Sequence, residues 1–306
     1  MKAILFVGHG SKDKEGNDQV REFINEMKPA IDPSLLVETC FLEFETPTVD
    51  QGIDTCVMKG ASHVYVIPMM LLQAGHSKIH IPHSIDEAKK KYPNVEFTYG
   101  RPIGIHDEAL EICISRLAEI GLDIESGDPE TAIILLGRGG SDPDANSDLY
   151  KITRLLWEKL NYPIVEPAFM GVTAPLIDEV IHRCLLLGAK KIVILPYFLF
   201  TGVLIKRLEK IVQGYEERYK DHQFALAEYF GFHEKLQDIL MDRVQETLDG
   251  DVKMNCDTCQ YRIEIAESIG HHHHHHHHHD HDDHDDHCHH DHSHHHHHDH
   301  EEKIQK

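Results

Sequence analysis

AILFVGHGSKD, residues 3–13, returns further along the chain as AIILLGRGGSD, residues 132–142. Both stretches pass from an apolar run of strand length through a glycine turn to a Ser-Asp exit, the pattern of a buried strand that opens into a helix. The repeat extends well beyond this phrase. A shift of 128 residues lays Pro47 on Pro175, Asp50 on Asp178, Cys56 on Cys184, Gly60-Ala61 on Gly188-Ala189, Pro68 on Pro196, Leu71 on Leu199 and Lys78 on Lys206. Agreement at so many positions identifies a duplication.

Each copy alternates short apolar runs with longer stretches of helical period. Strands are predicted at 2–8, 35–43, 63–70 and 94–99, with helices at 13–29, 48–59, 77–92 and 105–120. After ESGDPE, read as a linker, the pattern restarts with strands at 131–137, 164–170, 191–197 and 223–229 and helices at 145–160, 174–187, 203–219 and 232–248. Such alternation predicts an α/β fold of two duplicated domains, each a small parallel sheet flanked by helices. The domains are placed at 1–124 and 131–250, facing each other across a cleft, followed by a Cys-pair segment at 251–270 and a His/Asp-rich tail at 271–306.

Composition narrows the function classes. Of 30 histidines, 21 lie from His271 onward, in a stretch that has no apolar face to bury and is expected to be disordered. A formal charge of −22 disfavours a nucleic-acid partner, because phosphate neutralisation needs clustered Lys and Arg. No run of about 18 apolar residues occurs, so no membrane span is expected. Seven cysteines without a regular framework suit a reducing compartment, and a cytoplasmic location is expected.

The duplication also supplies an internal control: residues needed for packing tend to survive in both copies, whereas residues needed for chemistry can survive in one. Three polar positions fail to repeat. His9 becomes Arg138, Glu43 becomes Gly171 and His76 becomes Leu204. By contrast His106 and His233 match each other at the start of a helix and read as structural caps. A single His after a glycine is ordinarily a loop residue and a single strand-end Glu is ordinarily solvated. Here all three lie at carboxyl ends of parallel strands, where open α/β sheets bind ligands. Two imidazoles and a carboxylate suit a divalent ion of the Co, Fe, Ni or Zn group. The turns GHGS and GRGGS carry no complete phosphate-binding signature, so no nucleotide is expected.

The opening LFVGHGS, the strand end FLEFETPTV and the stretch MMLLQAGHSKIHIPHSIDEA resemble the class II tetrapyrrole chelatases, specifically their long-form sirohydrochlorin cobaltochelatases. The resemblance spans residues 1–262, and the paired halves, the MNCDTC motif and the His-rich tail fit it. It implies ATP-independent insertion of Co²⁺ into sirohydrochlorin on the anaerobic route to cobalamin, with His9, His76 and Glu43 as catalytic and metal-binding residues. His80 departs from the family's usual Asp and stands as a fourth candidate ligand. Insertion of iron or nickel, or a metal-storage or metallochaperone role centred on the tail, are the alternatives. Sirohydrochlorin is a polycarboxylate, so basic groups must offset the chain's charge. Lys12, Lys78, Arg101 and Arg138 are the candidates, Arg138 as a carboxylate clamp standing where the first copy has His9. Cys256 and Cys259 are candidate ligands of a [4Fe–4S] cluster, which the resemblance implies. Two thiolates do not complete one, so the reading calls for further ligands or a dimer that shares it. A reversible disulfide or a zinc pair are the simpler readings.

Overall fold

A computed structural model describes residues 1–250, which belong to one compact unit. The Cys-pair segment, with Cys256 and Cys259, and the His-rich tail lie outside the described residues. Among the described residues, eight strands and eight α-helices alternate in chain order. The first half contains β1 (Lys2–Gly8), α1 (Lys14–Met27), β2 (Leu36–Phe41), α2 (Val49–Met58), β3 (His63–Met69), α3 (Ile81–Lys91), β4 (Glu96–Tyr99) and α4 (Asp107–Glu119). The second contains β5 (Thr131–Gly137), α5 (Pro143–Glu158), β6 (Ile164–Phe169), α6 (Ile177–Leu186), β7 (Lys191–Pro196), α7 (Val203–Arg218), β8 (Gln223–Leu226) and α8 (Glu234–Asp249).

Each half forms a four-stranded, wholly parallel sheet, in the orders β2-β1-β3-β4 and β6-β5-β7-β8. The chain reverses its direction of travel across the sheet between β1 and β3, so loops leaving these strands diverge and open a crevice at their carboxyl ends. The side-chain alternation of β1 decides what each face buries. Ile4 and Phe6 join a core shared by both halves, whereas Ala3, Leu5 and Val7 pack with Val49, Ile53, Cys56, Ile81 and Ile85 from α2 and α3. The second sheet does the same: Ile133 and Leu135 enter the shared core, and Ala132, Ile134 and Leu136 pack under α6 and α7. The shared core also contains the buried faces of α1, α4, α5 and α8, which therefore lie between the two sheets.

Packing in this middle layer crosses the duplication. Helix α8 lies on β3 of the first half, and α4 contacts β7 of the second. Arg116 on α4 donates from Nε to the Tyr229 carbonyl (2.9 Å) and from Nη2 to that of Phe230 (2.6 Å). Arg243 on α8 makes the matching pair to Pro102 (3.1 Å) and Ile103 (2.6 Å). Phe23 of α1 meets the rings of Phe200 and Phe232 at 5.5 and 5.9 Å between centroids. The halves thus share one interior across this middle layer.

The helix predicted over 77–92 differs in its first turn, where residues His76–His80 form a π-helical turn before α3 begins. Pro82 explains the break. It has no N–H to give the carbonyl four residues back, and its ring crowds that carbonyl, so a regular α-helix cannot run through it. The matching residue of the second copy is Lys210, and there α7 runs uninterrupted from Val203.

Candidate metal and tetrapyrrole site

The β1–β2 register continues past the strands. Leu42 N–H donates to the Gly8 carbonyl (2.9 Å) and Glu43 N–H to that of His9 (3.0 Å), which fixes His9 and Glu43 side by side at the sheet's upper rim. Gly10 makes this approach attainable. Its φ is +86°, and any side chain on it would run into the Glu43 carbonyl oxygen. Gly139 repeats the arrangement against Gly171, with φ +80°. The loop after β1 is stapled by buried Asn17, which accepts from Ser11 N–H and donates back to the Ser11 carbonyl, both at 2.8 Å. Asn146 does the same for Gly140.

His9 is held from both halves. Its Nδ1 faces the Glu43 Oε1 atom at 3.4 Å and the Gly10 carbonyl at 3.2 Å, while Arg138 Nη1 approaches Nε2 at 2.9 Å. A guanidinium only donates, so Nε2 is the acceptor and carries the lone pair. The ring proton then sits on Nδ1, directed toward carboxylate and carbonyl oxygen. This is the orientation in which a metal-binding imidazole is usually supported, with a carboxylate behind one nitrogen and the other presented outward. The side chains of His9 and Glu43 are 29% and 31% exposed, accessible to a ligand without being freely solvated.

His76 begins the π-helical turn after β3, at the carboxyl edge beside β1. Its side chain lies outside the described residues. Among the described residues, no three His, Cys, Asp or Glu side chains gather into a metal-holding group. His80 closes the same turn and is exposed.

The four basic candidates separate. Arg138, immediately after β5, contacts His9, and the exposed Lys12 lies over the ring of Phe44, 5.2 Å from its centroid and next in sequence to Glu43. Lys78 instead reaches across to Asp142 (2.8 Å) and Asp144 (2.9 Å) at the start of α5. Lys206 makes the reciprocal bridge to Asp13 (2.6 Å) and Glu15 (2.8 Å) at the start of α1. Hydrogen bonds from these lysines hold the Asp13 and Asp142 carboxyls below their usual range. Arg101 is gripped through two nitrogens by Glu246 of α8, at 2.9 and 2.7 Å. The contacts of Lys78 and Arg101 therefore favour joining the halves over meeting a substrate carboxylate.

Sequence reasoning missed Asn17, Asn146, Arg116 and Arg243. A signal existed, since each pair recurs between the copies at a shift of 129 or 127, but each residue's structural role depends on main-chain partners, which carry no residue identity. The expected caps are present: His106 and His233 accept through Nδ1 from Glu108 and Lys235 N–H, at 3.1 and 3.2 Å. A shallow hollow lined by Ser126, Asp128, Asn161 and Tyr162 lies at the linker, by loops that enter the strands rather than leave them.

The profile of the CbiX family matches residues 3–120 and again 132–247, covering both halves. The chain belongs to the CbiX family. It is 70% identical over 272 residues to the sirohydrochlorin cobaltochelatase of Priestia megaterium, covering 89% of this chain and 88% of that protein. The sirohydrochlorin ferrochelatase of the same organism is 36% identical over 81% of this chain and 91% of its own length. Among solved structures, the sirohydrochlorin chelatase SirB from Bacillus subtilis subspecies spizizenii in complex with cobalt superposes with a TM-score of 0.68. It is 32% identical and aligned over 81% of this chain and 95% of that one. The CbiX profile thus falls twice on the chain, once on each sheet with its helices.

Proposed function

We propose that this chain is an ATP-independent chelatase that inserts Co²⁺ into sirohydrochlorin on the anaerobic route to cobalamin, using the rim of the first sheet as its active site. The observation that carries the reading is His9, supported by Glu43 behind one ring nitrogen and met by Arg138 of the other half at the second. Membership of the family, and twice the identity to a cobalt-inserting relative as to an iron-inserting one, favour cobalt over iron. Nickel is distinguished only by assay, because imidazole and carboxylate donors suit all three ions.

Metallation joins a divalent ion to four pyrrolic nitrogens and releases two protons, so the site must strip water from the metal and accept protons from the ring. The Nε2 lone pair of His9 can do either task, and neutral imidazole is the form that does both near neutral pH. Glu43 keeps the ring turned with Nδ1–H toward it and stabilises positive charge that develops when Nε2 binds metal or a proton. His76 is assigned the second imidazole, on the neighbouring strand end. Arg138 and Lys12 are assigned to the macrocycle's carboxylates, and Phe44, exposed beneath Lys12, to an apolar edge. His80 is retained as an outer ligand that passes metal inward.

The chain carries free, buried Cys40, Cys56, Cys113 and Cys184, and none of its described helices is long and apolar enough to cross a membrane. The free thiols support the cytoplasm as its compartment. The [4Fe–4S] reading of Cys256 and Cys259 rests on the sequence alone. It supplies no step of the reaction.

The test is anaerobic spectrophotometry of sirohydrochlorin with Co²⁺, Fe²⁺ and Ni²⁺ supplied separately, for the full chain and for His9→Ala and His76→Ala. Metallation fastest with Co²⁺ and lost in both variants is expected. Full activity in His9→Ala would remove the proposed site.

A further inference from the structure

The bond between Arg138 and His9 has a chemical consequence beyond recognition of carboxylates. Imidazole Nε2 has one lone pair in the ring plane, and at 2.9 Å that lone pair is directed at Arg138 Nη1. A metal ion uses the same lone pair at about 2.1 Å. The two partners are mutually exclusive. Whenever the Arg138 contact is made, His9 cannot ligate metal, and whenever His9 ligates metal, the guanidinium is released.

Resting on the chelatase reading, we infer that Arg138 is a positioning residue that couples the two substrates: it competes with metal for His9 and yields that position when a tetrapyrrole carboxylate takes its guanidinium. The other cations nearby are contrasting cases. Lys78 and Lys206 are each held by two carboxylates, and Arg101 by a bidentate carboxylate. None of these gives up its partner for one more carboxylate at little cost. Arg138 is exposed and is bonded to a neutral ring nitrogen, a weaker hold than a charge-assisted, two-point bond to a carboxylate. A substrate carboxylate that takes the Nη1 edge of the guanidinium in a two-point bond therefore replaces His9 as its partner.

The fold explains why these two residues meet. His9 and Arg138 come directly after equivalent strands β1 and β5, and reciprocal contacts relate the halves: Lys78 with Asp142 against Lys206 with Asp13, and Arg116 against Arg243. Equivalent residues that touch each other under such a relation lie on its axis. The duplication thus places the carboxylate-seeking group of one copy on the metal-seeking group of the other.

The coupling is reciprocal, so the tetrapyrrole should improve apparent metal affinity by roughly five-fold or more, a usual size for linked sites. Initial rates with sirohydrochlorin and Co²⁺ varied together test this in the full chain, with Arg138→Gln and Arg138→Lys. In the unsubstituted chain the KM for Co²⁺ should fall as sirohydrochlorin rises. In Arg138→Gln it should start low, stay independent of sirohydrochlorin, and accompany a sirohydrochlorin KM raised roughly ten-fold, the effect of losing one charge-assisted pair. Arg138→Lys keeps the charge and should recover part of the sirohydrochlorin KM. A Co²⁺ KM that is unchanged or raised in both variants, at unaltered thermal midpoint, overturns the coupling. Absence of metallation by the unsubstituted chain would instead overturn the chelatase reading, so the two failures are distinct.

Discussion

At the scale of single residues, the site is governed by which nitrogen of His9 carries its proton. Glu43 and the Gly10 carbonyl hold that proton on Nδ1, and the reactive lone pair is left on Nε2. Glu43→Gln preserves shape but removes the charge that favours metal or proton on Nε2. Its kcat for cobalt insertion should fall roughly ten- to a hundred-fold, the usual cost of losing a ligand's supporting carboxylate, with a smaller change in the sirohydrochlorin KM. A larger effect on that KM than on kcat would move Glu43 out of this role. Histidine also sets a pH limit on stability. Burial, reinforced by Arg243, pushes the His106 pKa down, and its Nδ1 must stay unprotonated to cap α4. The unfolded chain therefore binds this proton more readily than the folded one. His106 contributes stability fully above about pH 6.5, and that contribution is lost as pH falls toward its folded value. Urea midpoints at about pH 7.5 and 5.5 should differ less in His106→Asn, which caps without titrating.

At the scale of elements, the two copies differ most in the segments after β3 and β7. The π-helical turn His76–His80 exists because Pro82 interrupts the helix, and Lys210 leaves the second copy regular. The hydrophobic period predicts one helix over 77–92, since it registers the buried face and is blind to a single wider turn. The proline was legible, but not the geometry it imposes. Pro82→Ala permits a regular α-turn, which rotates His76 relative to β3 while leaving buried Ile81, Ile85 and Ala88 in place. Cobalt insertion should drop roughly ten- to a hundred-fold, as for an ångström-scale misplacement of a reacting group, whereas the urea midpoint should hold or rise. A fully active variant would show that the turn does not position the site.

At the scale of the molecule, comparing one half with the other made the fold legible and exposed where such a comparison stops. It correctly separates the capping residues His106 and His233 from the residues that survive in one copy. Applied to Lys78, which recurs as Lys206, the same comparison reads a structural residue, and the reciprocal bridges to Asp142 and Asp13 agree with it; the substrate role expected for Lys78 came from its place on the rim. What it does not reveal is exchange between halves, because a strand of one copy is then covered by a helix of the other and neither copy alone contains the contact. Helices α4 and α8 are that exchange, latched by Arg116 and Arg243. The latches are not equivalent in cost. Arg243 is 1% exposed and bonded to Glu246 as well as to two carbonyls, whereas the Arg116 side chain is 16% exposed and its carboxylate partner Glu119 is 45% exposed. Removing Arg243 leaves buried acceptors and part of the Glu246 charge uncompensated, so Arg243→Ala should cost about 3–5 kcal/mol, the range for breaking a buried ion pair. Arg116→Ala loses bonds that water can partly replace and should cost about 1–3 kcal/mol. Urea unfolding of both variants measures the difference, and because the latches hold opposite halves to one core, each should lower a single transition. Two separated transitions in either variant would mean that the halves fold as independent domains, and equal costs would mean that burial does not set the strength of the latch.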